Sequence, residues 1–142
     1  MNIATKKEND ISEIKLKHDF NFKSYLLDGE TIKYCTWIYD SDLKIYFDII
    51  FTSKRIIVIG DDYISSFIYK KISHIMIYYG NTNEGYAENY LHYNLKWRFG
   101  NGEDKVLFCT DTDNFSFNFS KNRFSEAVEC YQMLTKLWFE NC

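Results

Sequence analysis

At 142 residues the chain has room for one domain with a proper core and no need of a second. A formal net charge of −3 supplies no general attraction to nucleic acid or anionic lipid, and 19% aromatic residues is the composition of a strand-rich interior. No apolar run reaches transmembrane length and the N-terminus lacks the apolar stretch of a signal peptide, so a soluble, cytoplasmic protein is expected. Cys35, Cys109, Cys130 and Cys142 show no C-x-x-C spacing and read as scattered reduced thiols rather than a metal set. The absence of proline, beside abundant Lys, Asn, Ile, Tyr and Phe, suggests an AT-rich genome, bacterial or phage.

Residues 1–18 are charged, with Ile11, Ile14 and Leu16 as apolar anchors. They form either a mobile arm or a short helix laid on the body, and the domain proper is expected over residues 19–142. Asp19 suits the cap of a short helix carrying Phe22, Tyr25 and Leu26 at i, i+3, i+4 spacing, with Gly29 as its stop. Glu30 to Tyr39 reads as the first strand, closed by the turn Asp40-Ser41-Asp42.

Leu43, Ile45, Phe47, Ile49 and Phe51 then alternate with Lys44, Tyr46 and Asp48, the period of a half-buried strand. Ser53-Lys54 fits a two-residue turn, although neither residue favours the positive φ that tight hairpin turns want. That turn pairs Thr52 with Arg55, Phe51 with Ile56 and Ile49 with Val58, and paired residues share a face. Phe47, Ile49, Phe51, Ile56 and Val58 therefore go inward, while Ile50, Ile57 and Ile59 go to the outer face. Covering three isoleucines contributes a few kcal/mol at ~25 cal/mol per Å², too much to leave wet. Either the N-terminal segment or a curling sheet lies over them, or they form a contact surface for self-association or a partner protein, with Ile64 alongside.

Asp61-Asp62 makes the next turn, and Tyr63 to Tyr69 the next strand, with Phe67 and Tyr69 toward the core. Ile72 to Tyr79 is a further strand, and the Gly, Asn and Thr of residues 80–87 mark a loop. Asn89 to Phe99 alternates well, with Leu91, Tyr93, Leu95, Trp97 and Phe99 on one face. Gly100-Asn101-Gly102 turns that strand back into Lys105 to Cys109. Phe115, Phe117 and Phe119 alternate again. From Phe124 the period changes: Ala127, Val128, Tyr131, Leu134, Leu137 and Trp138 follow at three- and four-residue steps, an amphipathic helix capped by Ser120 or Asn122. The expected fold is mainly β, with seven or eight antiparallel strands bent into a barrel that one C-terminal helix plugs.

This order resembles the pleckstrin-homology superfold, and the local motifs are similar to those of its bacterial branch. Leu26-Leu27-Asp28-Gly29-Glu30 precedes the first strand, Phe51-Thr52-Ser53-Lys54-Arg55-Ile56-Ile57 makes the hairpin, and Ser65-Ser66-Phe67-Ile68-Tyr69-Lys70-Lys71-Ile72 follows. The terminal helix with Trp138 is the fourth match. Ile68 departs from the pattern, standing where such domains often have proline. The resemblance implies a PH-like barrel and a non-enzymatic binding or assembly module, without the lipid sites of the eukaryotic domains.

No residue pattern argues for chemistry. A phosphoinositide-binding domain gathers Lys and Arg around its first hairpin loop, whereas here that loop reads Tyr39-Asp40-Ser41-Asp42-Leu43-Lys44. Asp40/Asp42 and Asp111/Asp113 form D-x-D pairs, but both lie in expected turns, where aspartate serves the backbone. His18, His74 and His92 assemble no site, and no nucleophile motif or Gly-rich phosphate loop occurs, so neither an enzyme nor a cofactor is expected. His92, Lys96 and Arg98 face away from Trp97, which breaks the basic–aromatic interleaving of a single-strand binder and argues against nucleic acid. The expected function is protein–protein contact or self-association through Ile50, Ile57, Ile59 and Ile64, or through the edge next to the Asn81–Ala87 loop. The alternative is a small acidic inhibitor, such as an immunity or phage anti-defence protein, that blocks a partner protein.

Overall fold

A computed structural model describes residues 6–7, 16–19, 21–78 and 104–142. Within them the chain runs β1 (Lys6–Lys7), α1 (Phe22–Tyr25), β2 (Ile32–Asp40), β3 (Ile45–Thr52), β4 (Arg55–Ile59) and β5 (Ile64–Ile68). β6 (Ile72–Tyr78), β7 (Asp104–Thr110), β8 (Asn114–Phe119) and α2 (Phe124–Glu140) follow. β1 to β5 make one antiparallel sheet in sequence order, and β6 to β8 a second. The two-residue β1 aside, these are seven strands among the described residues. The expected short N-terminal helix is a single turn, α1.

The main core fills the space between the sheets and under α2. Phe47, Ile49, Phe51, Ile56 and Val58 all lie in it, in the register that alternation and the two-residue turn predict. Phe117 and Phe119 face them from β8, and Ala127, Cys130, Leu134 and Leu137 from the helix. α2 is fastened at both ends. The Trp138 indole donates to the carbonyl of Ile72 at 2.9 Å. At the other end Arg123 donates to the carbonyl of Trp37 at 2.6 Å and to Thr36 Oγ1 at 3.1 Å, and its guanidinium lies 3.7 Å from the Trp37 ring centre. This contact corrects the expected cap. Neither Ser120 nor Asn122 caps α2; a 3-10 turn over Lys121–Arg123 precedes it, and Arg123 holds the cap position with its side chain paired to Glu126.

The expected strand at Asn89 to Phe99 and its Gly100-Asn101-Gly102 turn lie outside the described residues. β6 pairs directly with β7, Tyr78 against Lys105 and Ile72 against Thr110.

Candidate functional site

Three features of the sheets could carry function: the motif-rich end of the β3–β4 hairpin, the outer face of the first sheet, and the space between the sheets at the opposite end of the hairpin.

The motif residues converge on one polar cluster. Thr52 Oγ1 accepts the backbone N–H groups of Lys54 and Arg55 at 3.1 and 3.0 Å, so the Ser53-Lys54 turn closes through a side chain and needs no positive φ. The same hydroxyl donates to Glu30 Oε2. Arg55 reaches Glu30 through Nε at 2.9 Å and Nη2 at 3.1 Å, Ser66 Oγ at 3.1 Å and the Tyr25 carbonyl at 2.6 Å. The Tyr69 hydroxyl is shared between the carbonyls of Thr52 and Arg55. Burial alone would raise the Glu30 carboxyl, but the hydrogen bonds from Arg55, Leu27 and Thr52 outweigh it and hold the group below its ordinary value of 4.5. The three local motifs are thus parts of one clasp: Glu30 from the first, Thr52 and Arg55 from the second, Ser66 and Tyr69 from the third. Both Glu30 oxygens and all three Arg55 nitrogens that define it make hydrogen bonds within the chain.

On the outer face, Ile50, Ile57 and Ile59 are buried with Ile32 and Cys35, and Leu16 and Leu26 pack on top. Of the two expectations for this face, cover by the N-terminal segment is the one found: it is a second core, closed by residues before β2, and not a contact surface at these three positions. A partner reaches none of the three while that cover is in place. Ile64 differs: it is 40% exposed. The cover is also held by polar contacts. Asp48, fully buried among these isoleucines, accepts the backbone N–H of Lys17 at 2.9 Å and of His18 at 2.8 Å. The His18 ring then bridges Asp48 (2.9 Å) and Asp61 (2.7 Å) through its two nitrogens. A ring between two carboxylates is best satisfied as the imidazolium, which donates from both sides. Desolvation pulls its pKa down, yet the bonds to Asp61 and Asp48 prevail and the net shift is upward from 6.5.

The third feature is a cavity of about 270 Å³ between the two sheets, beside the β2–β3 and β4–β5 turns. Phe47, Phe67 and Phe115 wall it, and Asp40 and Tyr63 stand at its turn end. Tyr63 is held there by Gly60: a Cβ on that residue would come within 2.9 Å of the Tyr63 ring and 3.1 Å of the Phe47 ring. Burial and the Asp40 charge both push the Tyr63 phenol upward.

No family model matches the chain, and no curated protein does. Among solved structures it is similar to a PH-domain-containing bacterial protein from Exiguobacterium sibiricum, at a TM-score of 0.53 and 14% identity. The match covers 94% of this chain and 60% of that one. The fold is pleckstrin-homology-like. A DUF1696 family protein with a pleckstrin-homology domain, from Shewanella loihica, is also similar, at a TM-score of 0.47 and 12% identity over 89% of this chain and 94% of that one. The chain spans 60% of the length of the Exiguobacterium protein.

In this PH-like frame the β2–β3 loop carries aspartates. Asp40 Oδ1 accepts the N–H groups of Asp42 and Leu43 at 2.9 and 3.0 Å, the turn role expected of that pair. At the β7–β8 turn the roles are reversed: the Asp113 backbone N–H donates to Thr110 Oγ1 at 3.1 Å, and among the described residues the Asp113 carboxylate accepts only the Thr112 hydroxyl, at 3.1 Å. His92, Lys96, Arg98 and the loop at residues 81–87 lie outside the described residues. No helix among the described residues is long and apolar enough to cross a membrane.

Proposed function

We propose that this PH-like domain is a binding module without catalytic chemistry, that it acts through protein–protein contacts, and that its simplest partner is a second copy of the chain. The reading rests on Ile64 and Ile68, exposed at 40% and 56% on β5, the last strand of the first sheet. Across the ladder Ile64 pairs with Ile59, Ser66 with Ile57 and Ile68 with Arg55, so Ile64 continues the apolar outer face beyond its cover and Ile68 follows on the same side of β5, opposite Arg55. An edge strand with an apolar face offers another chain both backbone pairing and side-chain burial.

Light scattering tests it. The double variant Ile64→Glu/Ile68→Glu is expected to show a lower solution mass than the native chain, with an unchanged circular dichroism spectrum. A native chain and a variant that are both monomeric contradict self-association.

A further inference from the structure

The pocket between the two sheets is partly open to solvent and holds about 270 Å³, room for a small molecule rather than a single water. An apolar cavity of about 150 Å³ is enough to take up benzene, so this space admits a ring with a short tail. Its walls are aromatic and aliphatic side chains from β2 to β5, β7 and β8, with Ser65 among the few polar ones. Asp40 is the one charged side chain among the described residues that line it. The carboxylate is half used: Oδ1 takes the two turn N–H groups, and Oδ2 meets no donor among the described residues. An anionic ligand would meet repulsion and no counter-charge. A cation would meet Asp40 and the Tyr63 and Phe47 rings, whose centres lie 6.1 Å apart.

We propose that the space between the sheets is a binding site for a small organic amine, its apolar body among Phe47, Phe67 and Phe115 and its ammonium on Asp40 Oδ2. The turn holds that carboxylate in place through Oδ1, and Gly60 holds the Tyr63 ring beside it. The site is independent of the β5 contact surface.

Two probes of one shape and opposite charge decide it: 2-phenylethylamine and phenylacetate, titrated into the full chain and followed by amide proton–nitrogen NMR. The amine is expected to give saturable shifts at Asp40, Tyr63 and Phe115, and phenylacetate none. Asp40→Asn keeps the carbonyl that accepts the two turn N–H groups, and is expected to weaken the amine at least about tenfold, the loss of one charge-assisted contact. Ser65→Phe fills the space and is expected to abolish the shifts. Should that variant fail to fold, the Asp40→Asn comparison still decides. Phenylacetate binding as tightly as the amine, an unchanged affinity in Asp40→Asn, or no saturable shift at millimolar amine would each overturn the proposal.

Discussion

The two ends of the β3–β4 hairpin are built on opposite principles. At the Thr52 end, Glu30 receives the Leu27 N–H, the Thr52 hydroxyl and two donors of Arg55, and the Tyr69 hydroxyl lies over the turn carbonyls. At the Asp40 end the aromatic walls stand apart, half a carboxylate is uncommitted, and the Tyr63 hydroxyl has no protein partner among the described residues. The recognisable motif belongs to the first end. It marks a place where buried polar groups have one workable arrangement, which ties the residue types down for reasons of folding. The two proposed binding sites lie at the end without a motif and along the β5 edge.

Breaking the clasp should have the largest effect. Arg55→Met leaves the buried Glu30 carboxylate without its cation and is expected to cost about 3 kcal/mol in urea unfolding. Glu30 titrates below its ordinary 4.5 in the folded chain, so its contribution is present above that value and lost as the pH falls through the folded one. Arg55→Met should therefore also flatten the acid limb of the stability curve. A loss well under 1 kcal/mol would reduce the clasp to decoration.

Opening the outer core comes next. Ile57→Ala removes buried atoms beneath Leu16 and Leu26 and is expected to cost about 2–4 kcal/mol, against under about 0.5 kcal/mol for Ile64→Ala. Equal, small losses at both positions would mean that the face is not closed in solution.

The latch on that cover is smaller. His18→Gln is expected to cost about 1 kcal/mol, since Asp61 is half exposed and water screens that side of the bridge. The folded pKa of His18 is raised, so the latch acts fully below 6.5 and is lost as the pH climbs through the folded value. Hydrogen exchange at Leu16 to Asp19 should accelerate over that rise in the native chain, beyond the intrinsic pH dependence, and His18→Gln should remove the excess.

Much of the scaffold was legible because its signals are local. Alternation and one turn set the hairpin register, and the apolar face of α2 followed from a three- and four-residue period, with Cys130 on it as well. The α2 cap was not legible, because Arg123 is fixed by Trp37 and Thr36, more than eighty residues away. The outer core was half legible. Three isoleucines demanded a cover, but Asp48 looked like an ordinary exposed carboxylate until its donors came from Lys17 and His18. Ile68 read as a departure from a family pattern, and its 56% exposure on β5 is what brings it into the proposed contact surface. The cavity had no signal in the sequence, since six strands contribute to its walls and no stretch of chain contains them.

The most direct test sets Ile57→Glu beside Ile68→Glu, with solution mass by light scattering and folding by circular dichroism. A closed outer face with contacts at its β5 margin predicts that Ile57→Glu unfolds, while Ile68→Glu stays folded and loses mass. A folded Ile57→Glu of reduced mass, beside an Ile68→Glu indistinguishable from the native chain, would contradict it.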